Sequence, residues 1–351
     1  MKVKIVAGQL CDPEAGYAST THVVHRLIER SRLPEFVALT KPRVMMLAVF
    51  TALVGLISPQ VRLEPFAAFI AVLAIAAGAG SAGALNMWYD ADIDAVMTRT
   101  AMRPIPRGKV SPSEALLFGL VLAVAAVAGL ALATNITAAA LLAGAILFYV
   151  VVYTAWLKRS TRQNIVIGGA AGALPPVIGW AAATGDVGLQ PLVLFLIIFL
   201  WTPPHFWALA LDRCDDYARA GVPMLPVVAG RAATTRQILF YSLLLVLASE
   251  LPWVLVFAGP IYGAIAAICG ALFLGLAFRL SGSEGADRRA ARRLFVFSIV
   301  YLFVLFAVLM IDRSANSSPF MHSSRGARIG AVSVQAIKIT GSSISVRTEE
   351  V

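Results

Sequence analysis

The chain has 351 residues, 59% of them hydrophobic and only 14% charged, with a formal net charge of +10 and a mean hydropathy of +0.81. A water-soluble domain is nearer half apolar and about a quarter charged, so composition excludes an ordinary soluble enzyme. The basic excess would suit a nucleic-acid partner, but its distribution along the chain excludes that reading too.

Residues 1–34 are polar and mixed in charge, without the apolar stretch that a cleavable signal peptide needs. Asp12, Glu14, Glu29 and Glu35 argue against a mitochondrial transit peptide, a type of segment poor in acids. Beyond them the apolar residues come in blocks of about 17 to 25, the length a helix needs to cross a hydrocarbon core of roughly 30 Å. In chain order the predicted spans are Phe36–Ile57, Phe66–Tyr89, Ser113–Ala133, Ile136–Leu157, Ile165–Thr184, Pro191–Leu211, Ile238–Phe257, Ile261–Leu280 and Leu294–Ile311. The expected architecture is all-α: a polytopic membrane domain over 35–312 with nine transmembrane helices. From Arg313 onward the chain turns polar and serine-rich, and the tail 313–351 is expected to be disordered.

Lysine and arginine crowd into alternate loops. Segments 97–112, 158–164, 212–236 and 279–293 carry them, while the intervening loops hold Arg62 alone. Basic loops stay cytoplasmic, so those segments and the N-terminus are expected on the cytoplasmic side. Topology thus accounts for much of the positive charge.

The second span runs into LNMWYDADIDAVMTRTAMRPIPRGK, residues 85–109. At about 100° per residue, Asn86, Asp90 and Asp94 fall along one helical stripe and Asp92 on another face. Like charges on one stripe repel by a few tenths of a kcal/mol even when solvated, and near a membrane they call for a neutralising cation. Such oxygen groups suit Mg²⁺, usually held by one or two carboxylates with substrate phosphates completing its shell. The plainer reading is a solvated helix end whose acids pair with Arg99 and Arg103.

The sixth span ends the same way, in LWTPPHFWALALDRCDDYARAGVPMLP, residues 200–226. Asp212, Asp215 and Asp216 can share one helical face there. Each cluster is followed by prolines, a glycine and a cation: Pro104, Pro106, Gly108 and Lys109 in the first, Pro223, Pro226, Gly230 and Arg231 in the second. Such parallelism is expected of a duplicated half-site with its pocket between the halves.

Two acid clusters with cations nearby describe a diphosphate site, where bound ions and Arg or Lys neutralise a leaving pyrophosphate. The candidate cations are Arg99, Arg103, Lys158, Arg159 and Arg213, with Arg43 as a further one, although helix-end cations also arise from topology alone. A site at a membrane surface fits a polar diphosphate on an apolar chain, the form of an allylic prenyl diphosphate. Its ionisation leaves a carbocation that water would quench, so a sheltering apolar chamber is expected. Trp88, Tyr149, Tyr153, Trp156, Trp180, Trp201, Phe206 and Trp207 are candidate lining, ring faces being favourable to positive charge; each serves equally as core or interfacial belt.

The motifs NMWYDADID and RTAMRPIPRG resemble those of the intramembrane (UbiA-type) prenyltransferases. YTAWLKR followed by GGAAGALPPVIGW, and WTPPHFWALALDRCDDYARAGVPMLP, resemble its heme-farnesylating branch, the similarity running from about Leu39 through the last span. The resemblance implies nine transmembrane helices around a central cavity, with farnesyl diphosphate and heme b (protoheme IX) as substrates. The farnesyl group moves to a vinyl group, water adds, and heme O and diphosphate leave. It further implies Mg²⁺ held by Asn86, Asp90, Asp94 and Asp216, with Asp215 beside the last, and phosphates held by Arg99, Arg103, Lys158 and Arg213. Asp90, Asp94, Asp216, Lys158 and Arg103 are the expected catalytic set, with Tyr153 and His205 on the substrate. Asp212 stands where the family usually has an aromatic residue, which separates it from the second acid group. The implied location is a bacterial inner (plasma) membrane, and the implied recipient of heme O is the next heme-processing enzyme or a terminal oxidase assembly.

His205 follows Pro203-Pro204 inside an apolar span, where a polar side chain is expensive and usually functional. It either contacts heme or satisfies carbonyls freed by a kink; iron ligation is a third reading. Cys11, Cys214 and Cys269 are too scattered for a disulfide framework or a metal site. Two other functions fit the residues: a prenyltransferase for a quinone-precursor or chlorin acceptor, and a transporter or divalent-cation channel. Transporter sites usually lie near the midplane, whereas these acids sit at helix ends on one side.

Overall fold

The computed structural model describes residues 32–59, 61, 63–282 and 288–316. The segment before residue 32, Arg62 and the tail beyond residue 316, expected to be disordered, lie outside the described residues.

Helix starts follow from proline and short polar caps. Proline loses nothing in a first turn whose N–H groups are unpaired anyway. α1 (Leu33–Leu39) and α2 (Pro42–Ile57) form one bent span, turned through 56°. The bend follows from Lys41, which precedes a proline and is therefore kept out of the right-handed helical region; it adopts φ 54° instead. α3 (Pro65–Tyr89) is capped by Glu64, whose side chain accepts from the Ala67 amide, and short α4 (Ala91–Val96) follows. α5 (Pro112–Ala133) opens on a Ser111/Glu114 capping box and α6 (Ile136–Leu147) on Asn135. α6 continues as a π-helix, Phe148–Leu157, and a last turn, Lys158–Ser160.

α7 (Asn164–Ala173) and α8 (Pro175–Thr184) make one span, closed by Gly185 at φ 77°. α9 (Leu189–Asp212), short α10 (Cys214–Arg219), α11 (Leu225–Val254), α12 (Pro260–Gly282) and α13 (Arg288–Asn316) complete the chain. Among the described residues, eight helices are long and apolar enough to cross a membrane, or nine with the bent pair as one span. This matches the nine spans expected. The seventh begins earlier than predicted, because Pro226 starts a polar turn ahead of the apolar stretch, with a break at Gly230 (φ 75°). The tight joint at Gly259-Pro260 is held by Asp312, whose carboxylate accepts from the Gly259 amide at 2.5 Å.

Neighbouring spans pack in succession, α9 lies against α7, α11 and α13, and α13 returns to α2. Phe50 and Phe303 meet across that last seam at 4.8 Å between centroids. The C-terminal ends of α3, α6 and α9 fall at one end of the bundle, together with the α1–α2 bend. α2 and α8 touch backbone to backbone: a Cβ at Gly55 would lie 2.1 Å from the Pro176 carbonyl oxygen, and one at Gly179 2.0 Å from that of Ala52. Close approach of this kind drives helix association where lipid offers no hydrophobic effect. Gly55→Ala is expected to cost about 1–3 kcal/mol or more by overpacking, read as a lowered melting temperature in detergent.

Candidate active site

α3 ends at Asp90, whose φ −90° and ψ 12° leave the helical region, and α4 starts one residue later. The Asp90 amide still bonds the Asn86 carbonyl at 2.9 Å and the Asp94 amide the Asp90 carbonyl at 2.8 Å, so the four-residue register survives the break. Asn86, Asp90 and Asp94 are accordingly all buried, Asp90 at 0% exposure. Asp92 turns outward to Arg159, which donates to both its oxygens at 2.7 and 2.8 Å. This guanidinium holds the Asp92 carboxyl down at about 2.

Buried carboxylates need partners, and three cations supply them. Lys158 Nζ lies 2.5 Å from Asp90 Oδ2, Arg103 Nη1 2.5 Å from Asp94 Oδ2, and Lys41 Nζ 2.6 Å from Asn86 Oδ1. The Asn86 amide nitrogen donates to Asp90 Oδ2 at 2.8 Å and to Thr154 Oγ1 at 3.0 Å. Thr154 in turn donates to the Tyr149 carbonyl at 2.8 Å, five residues back along the π-helix. Such widened turns are often found at functional sites. Asp90 Oδ1 is sealed from solvent with no hydrogen-bond partner in the chain, the nearest cation being Arg159 at 3.7 Å.

The second acid group departs from expectation. α9 stops at Asp212 and Arg213 leaves the helix at φ −119°, so the three aspartates share no face. Asp212 pairs with its neighbour Arg213 at 3.3 Å. Asp215 is exposed and bonds Arg288 at 2.7 Å. Asp216 alone turns inward, 6% exposed, accepting from Thr98 at 3.0 Å and from Arg219. Thr98 belongs to the loop after α4, and the next residue, Arg99, bonds the Tyr217 side chain. The two acid groups therefore meet through residues 98 and 99, with Asp215 and Arg213 outside that junction.

Tyr153 packs on Gly168, where a Cβ would lie 2.2 Å from the ring, and its ring centroid is 5.3 Å from that of Tyr149. Asp90 acts electrostatically on both tyrosines. The remaining rings are scattered: Trp156 is exposed, Trp207 is buried against Tyr241, and Trp180 lies beside Ser58 and Gln190. His205 does not serve the carbonyls freed by Pro203-Pro204. Its Nδ1 is 2.6 Å from Ser298 Oγ on α13, and its ring is stacked between Trp201 and Phe295 at 4.1 and 4.6 Å. Arg43 is exposed. Lys41, Thr98, Thr154, Tyr217 and Arg219 are additions that sequence reading missed; the one signal was a lysine ahead of a helix-breaking proline.

Among the described residues no group of three or more His, Cys, Asp or Glu forms a cage for a metal. The oxygens present fit Mg²⁺, which takes one or two carboxylates and completes its shell with phosphate; the unpartnered Asp90 Oδ1 is such an oxygen. A groove of about 580 Å³ beside Glu250 and Trp253 lies at the other end of α11 and takes no part here.

The arrangement is that of a polytopic membrane protein with interlocked acids and cations at one end of its helices. The profile of the UbiA prenyltransferase family matches residues 47–309, and the chain belongs to that family. It is 58% identical over 295 residues to a protoheme IX farnesyltransferase of Afipia carboxidovorans, covering 83% of this chain and 94% of that one. A protoheme IX farnesyltransferase 2 of Mesorhizobium japonicum is 58% identical over 280 residues, covering 79% and 89%. The fold resembles a structure of digeranylgeranylglyceryl phosphate synthase, with a TM-score of 0.67 at 20% identity, covering 80% of this chain and 98% of that one. It also resembles a UbiA homologue from Archaeoglobus fulgidus bound to GPP and Mg²⁺, with a TM-score of 0.60 at 18% identity over 78% and 99%.

Proposed function

We propose that the chain transfers the farnesyl group of farnesyl diphosphate to a vinyl group of protoheme IX, giving heme O and diphosphate. The observation that carries this reading is the 58% identity to proteins named protoheme IX farnesyltransferase, sustained over 94% and 89% of their lengths.

The reaction breaks the farnesyl C–O bond, and the bonding electrons leave with the diphosphate. The vinyl π electrons form the new C–C bond, and water adds to the cation left beside the porphyrin, releasing a proton. Lys41, Arg103 and Lys158 are the groups we assign to the diphosphate oxygens, with Arg99 and Arg219 beside the second acid. Asp90, Asp94 and Asp216, with Asn86 beside them, would hold Mg²⁺, which when bound neutralises charge building on the leaving group. Support for the metal is the unpartnered oxygen of Asp90 and the Mg²⁺ described with the Archaeoglobus fulgidus homologue. Tyr149 and Tyr153 offer ring faces to the allylic cation, in surroundings that keep water from quenching it.

The basic loops support a bacterial inner membrane with the N-terminus and the acid end on the cytoplasmic side. Heme O would pass from there to the next heme-processing enzyme or a terminal oxidase assembly. The test is the mass of the product made by purified chain from farnesyl diphosphate, heme b and Mg²⁺. A heme heavier by one farnesyl and one water is expected. Product formed only with 4-hydroxybenzoate, or ion transport without diphosphate release, would overturn the assignment.

A further inference from the structure

The oxygens along the acid stripe are each covered by a cation belonging to the chain. Lys41 covers Asn86 Oδ1 at 2.6 Å, Lys158 covers Asp90 Oδ2 at 2.5 Å, and Arg103 covers Asp94 Oδ2 at 2.5 Å. Arg219 covers Asp216 in the same way. Lys41 is also close enough to Arg103 and Lys158 for mutual repulsion, and to Asp90 and Asp94 for attraction. The three cations and two carboxylates of the stripe thus form one cluster with an excess of positive charge. A bare divalent cation meets that excess as a barrier, whereas a polyanion is drawn to it.

We propose that Lys41, Arg103 and Lys158 are exchangeable covers that couple metal entry to diphosphate entry. Taking diphosphate as the ligand rests on the prenyl-transfer reading. The phosphate oxygens replace the carboxylates as partners of the ammonium and guanidinium groups. The uncovered Asp90, Asp94 and Asn86 oxygens then face the metal. No bond to carbon changes in this step; only ion pairs are exchanged. The fold suits it, because Lys41 sits at the bend between α1 and α2 while the oxygen it covers belongs to α3. By linkage, whatever removes a cover strengthens metal binding, and loss of the same cation weakens diphosphate binding.

The experiment uses the full chain in detergent, with Mn²⁺ alone followed by the spin resonance of the free ion, and inorganic pyrophosphate alone, metal-free, followed by calorimetry. Wild type is expected to bind Mn²⁺ alone weakly and pyrophosphate readily. Lys41→Met and Lys158→Met are each expected to tighten Mn²⁺ binding by about 5- to 150-fold, the span usual for coupled sites. The same variants are expected to weaken pyrophosphate binding. Lys41→Arg keeps the charge and is expected to keep wild-type affinity for Mn²⁺, which separates loss of charge from damage to the fold. Unchanged or weaker Mn²⁺ binding in both methionine variants would overturn the proposal even while pyrophosphate binds. Absence of pyrophosphate binding to wild type, with or without Mn²⁺, would instead strike at the prenyl-transfer reading.

Discussion

Asp90→Asn is expected to lower the rate of diphosphate release by about 10²–10³-fold or more, the scale of losing one preorganised electrostatic group. The change keeps the side chain's shape and removes only its charge, at a position with 0% exposure. Asp90 Oδ2 accepts from both Lys158 and Asn86, at 2.5 and 2.8 Å, and Oδ1 has no hydrogen-bond partner. Asparagine still satisfies part of that geometry but leaves Lys158 without its counter-charge. Removing one partner from a fully buried pair costs about 3–5 kcal/mol; the Lys158 side chain is 15% exposed, and its flexible stem reaches toward the interface. The variant should therefore insert and purify. Phosphate-release kinetics on protein matched by gel filtration would check this, and near-normal turnover would remove Asp90 from the site.

A paired comparison at the second acid group should give an equally clear contrast. Asp216→Asn is expected to reduce turnover by about 10²-fold, because this buried carboxylate ties the α4 loop to α10 through Thr98 and carries the cluster's remaining inward charge. Asp215→Asn should leave turnover within about twofold, since an exposed ion pair such as that with Arg288 contributes little. Steady-state rates of the two variants decide the matter. A larger loss at Asp215 than at Asp216 would mean that the acid facing α13 is the one that matters.

The spans were legible because about 20 apolar residues in a row have few other uses, and the Asn86–Asp94 stripe because helical periodicity survives the break at Asp90. The orientation of the second group was not. A single non-helical residue, Arg213, separates Asp212 from Asp215 and Asp216, and periodicity carries no sign of so local a break. Lys41 was hidden for a different reason: it reaches Asn86 across 45 positions of sequence, a relation that only packing creates. Ser298, the partner of His205, is likewise 93 positions away. The π-helical geometry that puts Thr154 over Asn86 has no counterpart in composition, since Phe148–Leu157 reads as an ordinary apolar helix.

That widened turn also constrains how the protein tolerates changes in length. A wide turn accommodates one more residue than a regular one, so excising any residue from Phe148–Leu157 would favour relaxation into regular helix. Everything downstream would then rotate by about 100°, carrying the Lys158 ammonium around the helix axis and away from α3. Point substitutions in this stretch alter one contact at a time, whereas a one-residue deletion dismantles a whole face of the cluster at once.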